Sequence, residues 1–143
     1  MILRGASMAD AGLLLAWRND PQTLKASIAP TPVGQVPHLA WLAAVIEDPN
    51  RELLLALVDD EPVGTVRLDM ENGVAELSWT VSPDHRQKGY GTKIVKCAVA
   101  RADGPVRAVI RRENAASRRI AEAAGLRLSM VDGELTIWSN ETE

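Results

Sequence analysis

The residues best placed to do chemistry lie in Ser82-Pro83-Asp84-His85-Arg86-Gln87-Lys88-Gly89-Tyr90-Gly91-Thr92. Gly89 and Gly91 let the backbone approach a bound group closely and turn its N–H groups toward it. A helical pattern from Thr92 to Ala102 follows, and its partly positive N-terminus points at the same spot. Arg86 and Lys88 add side-chain charge, and Gln87 sits between them. The combination is a phosphate cradle. Spacing excludes two familiar ones. A Walker loop needs more widely separated glycines with Lys-Ser/Thr behind them, and a dinucleotide fingerprint needs a third glycine where Ile94 stands.

The elements around the cradle follow from periodicity. Ile2 to Arg4 reads as a short strand and Asp10 to Arg18 as a helix. The segment from Pro21 to Pro37 holds prolines 21, 30, 32 and 37 and reads mostly as loop, with one helical turn near Leu24. Pro37 suits the first turn of a second helix, with Leu39, Leu42, Ala43 and Ile46 as its apolar stripe. Leu53 to Val58 is a continuous apolar run, as expected of a strand buried on both faces. Turn signals at Asp59 to Pro62 and Glu71 to Gly73 delimit two more strands, Val63 to Met70 and Val74 to Val81. In the second of these, Leu77, Trp79 and Val81 share one face and Glu76, Ser78 and Thr80 the other. After the cradle helix come a strand (Val106 to Ile110), a helix (Asn114 to Ala124) and a hairpin around Asp132-Gly133.

Residues 1–143 read as one domain with a real core, and 46% hydrophobic with 24% charged residues is a globular balance. The lone Cys97 allows no internal disulfide and fits a reducing compartment. No apolar run approaches the roughly 20 residues that span a bilayer. The N-terminus does not read as a signal peptide, so a cytoplasmic location is expected. His38 and His85 lack neighbours at metal spacing, and no metal is expected. The net charge of −3 hides an asymmetry: Arg86 to Arg127 carries eleven Lys/Arg against three Asp/Glu, and the remainder is acidic. Either solvated, salt-bridged faces or a local field for a polyanion would produce this. Nucleic acid fits poorly, because the acidic remainder repels a long polyanion and no aromatic stacking array is present.

Arg86-Gln87-Lys88-Gly89-Tyr90-Gly91 resembles the Arg/Gln-x-x-Gly-x-Gly/Ala pyrophosphate loop of the GNAT superfamily of acyl-CoA-dependent N-acetyltransferases. Asn114-Ala-Ala-Ser117 with Glu122-Ala-Ala-Gly125-Leu126 is similar to a second family motif, with Leu where Phe is usual. The order β-α-α-β-β-β-α-β-α-β-β matches the family from end to end. The resemblance therefore implies an α/β (α+β) GNAT fold: a twisted, mostly antiparallel mixed sheet of about seven strands with helices on both faces.

The resemblance also implies acetyl-CoA as cosubstrate, held by Arg86, Gln87, Lys88, Gly89, Tyr90, Gly91 and Thr92. The backbone of Trp79, Thr80 and Val81 would run beside the pantetheine arm where two strands splay, and Asn114 would contact that arm. Glu76 is the expected base for the acceptor ammonium; otherwise it is a solvent-facing strand residue. The family's usual acid is a Tyr at the position held here by Ala121; Ser117 is a candidate proton donor or a local helix cap, and departure of the thiolate without a dedicated acid is the remaining alternative. Trp17, Arg18, Asn19 and His38 are candidates to face the acceptor; a capped helix end is the alternative for the first three. Trp17-Arg18-Asn19-Asp20-Pro21 and His38-Leu-x-Trp41-Leu42 resemble the branches that acetylate nucleotide-linked amino sugars, as in pseudaminic-acid biosynthesis, or protein N-termini, including those of ribosomal proteins. The expected activity is transfer to a small-molecule amine, favouring the amino sugar, by a monomer or homodimer. A non-catalytic acyl-CoA-binding module is the alternative of a different class.

Overall fold

Leu54, Leu55 and Ala56 are consecutive and all buried, which alternation across one sheet face cannot produce. Leu54 and Ala56 enter one hydrophobic core and Leu55 another, on opposite faces of a single sheet. The computed structural model describes residues 1–141. Its strands are β1 (Ile2–Gly5), β2 (Arg51–Val58), β3 (Glu61–Glu71), β4 (Val74–Val81), β5 (Val106–Arg111), β6 (Arg127–Asp132) and β7 (Leu135–Ser139). They form one seven-stranded sheet in the order β1-β2-β3-β4-β5-β7-β6. All neighbours are antiparallel except β4 and β5, so the sheet is mixed, as the sequence indicates.

The larger core lies between the sheet and two helices, α4 (Tyr90–Arg101) and α5 (Ala115–Ala123). Gly91, Ile94, Val95 and Ala98 recur at helical spacing and bury one face of α4. The smaller core covers the other face with α1 (Ala11–Arg18) and α3 (Gln35–Glu47), through Leu14, Trp17 and Leu42 packed on Leu55.

Three local expectations are corrected. The apolar stripe expected on α3 is out of phase: His38, Leu42 and Val45 are buried, whereas Leu39, Ala43 and Ile46 are exposed. A stripe read from apolar residues alone could not find a face that begins with a histidine. The segment after Asn19 forms a helix, α2 (Pro21–Ala26), where one turn was expected. Asp20 caps it by accepting from the Thr23 N–H at 3.1 Å, and Pro21 occupies its first position. Finally, α4 starts at Tyr90 rather than Thr92, with Gly89 before it at φ +80°.

Candidate active site

A parallel pair of strands should continue hydrogen bonding along its length, yet β4 and β5 pair only at Ala75↔Val106 and Glu76↔Arg107. Beyond that point the strands part. The β5-facing edge of Leu77 to Val81 therefore keeps backbone groups free of sheet partners. A cleft of about 1550 Å³ opens there, lined by β4, the 85–92 loop and the starts of α4 and α5 on one side, and by α1, α2 and α3 on the other. Trp79 lines it, and its indole Nε1 is buried with no hydrogen-bond partner. A buried orphan donor marks a place where a ligand oxygen would be welcome.

The loop at the mouth of the cleft is built to present N–H groups. Gln87 (φ +62°) and Gly89 (φ +80°) are both left-handed, and Gln87 pays steric strain for it. No N–H from Gln87 to Gly89 donates to another backbone carbonyl. The first N–H groups of the twelve-residue α4 point the same way, as at any helix start. Gly91 has a separate role. It is buried, and a Cβ there would collide with the Ile120 side chain of α5 and lie 3.3 Å from Val81 Cγ2. One glycine sets the turn; the other lets two helices and β4 meet.

Arg86 is placed differently from a simple phosphate ligand. Its Nη2 donates to Asp20 Oδ2 at 2.6 Å and to Thr23 Oγ1 at 2.9 Å, and its Nη1 donates to Gln22 Oε1 at 3.0 Å. The guanidinium next to Asp20 is the main cause holding that carboxyl below its ordinary range. The cradle is thus tied to α2, across the cleft mouth. Lys88 is exposed and does not line the cleft, whereas Gln87, Gly89, Tyr90, Gly91 and Thr92 do.

Glu76 lies at the closed end of the strand split, with its Oε1 3.1 Å from Arg107 Nε. Both side chains are about two-fifths exposed (39% and 44%), so the pair orients the carboxylate without removing it from solvent. Glu76 is the only acidic residue among those lining the cleft; five arginines line it, at 18, 67, 86, 111 and 119. On the far wall, Ser117 and Asn114 both line the cleft. The cap of α5 is Asn114, whose Oδ1 accepts from the Ser117 N–H at 3.1 Å. This corrects the reading of Ser117 as a local cap: its backbone is capped, and its hydroxyl makes no hydrogen bond among the described residues. Ala121 is fully buried in the core, one turn further on and away from the cleft.

On the acceptor side, Trp17, Arg18 and His38 line the cleft and Asn19 does not. Asn19 Nδ2 donates to Val33 O at 2.7 Å while its Oδ1 accepts from Val33 N at 2.8 Å, so its amide pins the Pro-rich loop. Arg67, which sequence reasoning missed, and Trp41, which it quoted only within the His38-Leu-x-Trp41-Leu42 segment, complete this wall. The Arg67 guanidinium carbon stands 5.8 Å from the Trp41 ring centroid, and Trp41 packs on His38 with ring centroids 5.7 Å apart. Strand alternation with Ser78 opposite could have flagged Arg67.

No helix among the described residues is long and apolar enough to cross a membrane. Among the described residues no group of three or more potential metal ligands is present.

Residues 1–127 match the family model described as "Acetyltransferase (GNAT) domain". No curated protein matches the chain significantly. Solved structures do. The chain is similar to the aminoglycoside acetyltransferase AAC(6')-Ib in complex with paromomycin and acetyl-CoA (TM-score 0.82, 17% identity, 96% of this chain and 90% of that one). It is similar to yncA from Salmonella typhimurium with its cofactor acetyl-CoA (0.76, 21%, 100% and 95%). It is also similar to RimL, a ribosomal L7/L12 alpha-N-protein acetyltransferase, in complex with coenzyme A (0.80, 16%, 96% and 91%). At these identities the structures show a common fold.

Proposed function

The chain belongs to the acetyltransferase (GNAT) domain family, and we propose that it transfers an acetyl group from acetyl-CoA directly to a primary amine, with a nucleotide-linked amino sugar as the favoured acceptor. The parting of β4 and β5 after Glu76↔Arg107 carries this reading. It leaves a strand edge, an orphaned Trp79 Nε1 and an N–H-rich loop along one cleft, which fits a long ligand ending in phosphates.

Acetyl-CoA, when bound, supplies an acyl carbon activated as a thioester. The Gln87 to Gly91 backbone and the α4 N-terminus hold the pyrophosphate. The free edge of β4 fixes the pantetheine arm and offers N–H donors to the thioester oxygen, the kind of preorganised stabilisation worth most in acyl transfer. Glu76, oriented by Arg107, takes the proton of an ammonium whose ordinary pKa is roughly 10. Ser117, its hydroxyl uncommitted, gives a proton to the departing sulfur. Ala121 has no ionisable or donor group and cannot serve as the acid.

The test is thiol release from acetyl-CoA over a panel of amines: a nucleotide-linked amino sugar, a short peptide with a free N-terminus and an aminoglycoside. Mass spectrometry identifies the acetylated product. Amino-sugar-dependent release is expected. Tight acetyl-CoA binding with no release over the whole panel would overturn the transferase reading in favour of a binding module.

A further inference from the structure

Among the described residues, two buried polar atoms on the acceptor wall have no hydrogen-bond partner, Arg18 Nη1 and His38 Nε2. His38 is only 3% exposed, and both residues line the cleft. They are neighbours electrostatically as well. Burial chiefly pushes His38 below its ordinary value, a hydrogen bond to the Ala11 backbone opposes this, and the positive charge of Arg18 lowers it further. Arg18 has a single internal bond, from Nη2 to Ala29 O at 2.8 Å. Among the described residues it joins no ion pair, whereas Arg67 and Arg86 have carboxylate partners within 3.0 Å and Arg111 has one at 3.8 Å.

An uncompensated guanidinium with a desolvated N–H is costly, and folded proteins keep such groups where something else repays the cost. The surroundings say what repays it here. The chain as a whole is acidic, at −3, yet the cleft is lined by five arginines and one glutamate. Three of these arginines are paired with carboxylates, so the uncompensated charge on the acceptor wall is that of Arg18, which would repel a polycationic amine there. An oxyanion would meet the free N–H groups of the Arg18 guanidinium, the group Arg uses for phosphate and carboxylate.

We propose that Arg18 forms an oxyanion subsite for the acceptor, so that the amine substrate is a small molecule carrying a phosphate or carboxylate rather than a polyamine. The inference rests on the transferase reading for the word acceptor, but the subsite itself does not need turnover. Arg18 anchors the anion through Nη1, and the buried His38 walls the subsite beside it. The amine at the other end of the molecule is thereby directed toward Glu76 on the opposite side of the cleft.

The experiment is calorimetric binding to protein saturated with coenzyme A, so that the phosphate cradle is already filled. Two matched pairs of probes are used: glucosamine 1-phosphate against glucosamine, and alanine against alaninamide. The wild type is expected to prefer the anionic member of at least one pair by about 10-fold or more, the usual scale for a charged hydrogen bond. The pair that shows it identifies the anion as phosphate or carboxylate. Arg18→Gln, which removes the charge and keeps an N–H donor, should erase that preference, and Arg18→Lys should retain part of it. Coenzyme A affinity should be unchanged in both, which also verifies that they are folded. No preference in either pair, or a preference that survives Arg18→Gln, would overturn the subsite and leave an internal water as the partner of the two atoms. The same probes offered with acetyl-CoA in place of coenzyme A separate the two readings: selective binding with no thiol release would refute the transferase reading and leave the subsite standing.

Discussion

Asp20 should act as a brake on cofactor binding. Its carboxylate accepts from Arg86 Nη2 at 2.6 Å and from the Thr23 N–H at 3.1 Å, so it both holds the cradle arginine and caps α2. Asp20→Asn separates these roles. Asparagine caps a helix as well as aspartate does, so α2 should survive. The charge on Arg86 is released. Their side chains are 18% and 25% exposed, between a surface pair and a buried one. That puts the interaction at about 1–2 kcal/mol, allowing for solvent screening. A coenzyme A pyrophosphate drawn to Arg86 must compete with Asp20 or sit beside its negative charge, and both effects oppose binding. Asp20→Asn should therefore tighten coenzyme A binding by about 5- to 30-fold, measured by isothermal titration calorimetry at low salt. In an Arg86→Ala background the gain should largely vanish, which isolates the pair by a double-mutant cycle. Unchanged or weaker binding in Asp20→Asn would refute the reasoning and make Asp20 a positioning residue for Arg86.

Other perturbations follow from the same structure. Gly91→Ala should cost about 1–3 kcal/mol in a denaturant titration, because its Cβ must displace Ile120 or Val81. His38 is held below its ordinary pKa of 6.5, so the unfolded chain takes up its proton first as pH falls. Its contribution to stability is fully present above the unfolded value and is lost as pH drops toward the folded one. Stability should thus rise as pH is raised toward the ordinary value of 6.5, with a component that His38→Gln removes, read from urea unfolding at each pH. Glu76→Gln should lower turnover by roughly 10²- to 10⁴-fold, with recovery at high pH and acetyl-CoA affinity unaltered. Ser117→Ala should lower turnover while leaving the melting temperature nearly unchanged, since Asn114 caps α5; a large loss of stability with normal turnover would return Ser117 to a structural role.

The order of elements and the cradle were legible in the sequence because each rests on a local signal. Alternation, turn residues and the Gly-x-Gly before a helix are short-range features, and all seven strands appear where these place them. The Asp20-Pro21 start of α2 was also legible, and the surrounding prolines obscured it. What could not be read depends on contacts between distant segments. Arg86 carries the right charge for a phosphate, but only the fold brings Asp20 and Thr23 to it across more than 60 positions. Likewise the buried face of α3 starts at His38 because α1 and the sheet enclose it, and no scale of hydrophobicity marks histidine as core. Ser117 shows the converse. Its type and position fit a cap, and one neighbour, Asn114, already performs that task.

The central claim is that acetyl-CoA lies in the β4–β5 cleft with its pyrophosphate on the loop that Gly89 turns. Isothermal titration of acetyl-CoA into the wild type and Gly89→Val, at a temperature where both are folded, tests it most directly. Gly89 sits at φ +80°, and no atom lies within 4 Å of where a Cβ would be. The substitution therefore changes the turn and not the packing. A β-branched residue forced into that turn costs about 1–3 kcal/mol, and the loop relaxes away from the geometry that aims its N–H groups. The account predicts saturable one-to-one binding by the wild type and an affinity at least about 10-fold weaker in the variant. Equal affinity in both proteins would contradict it.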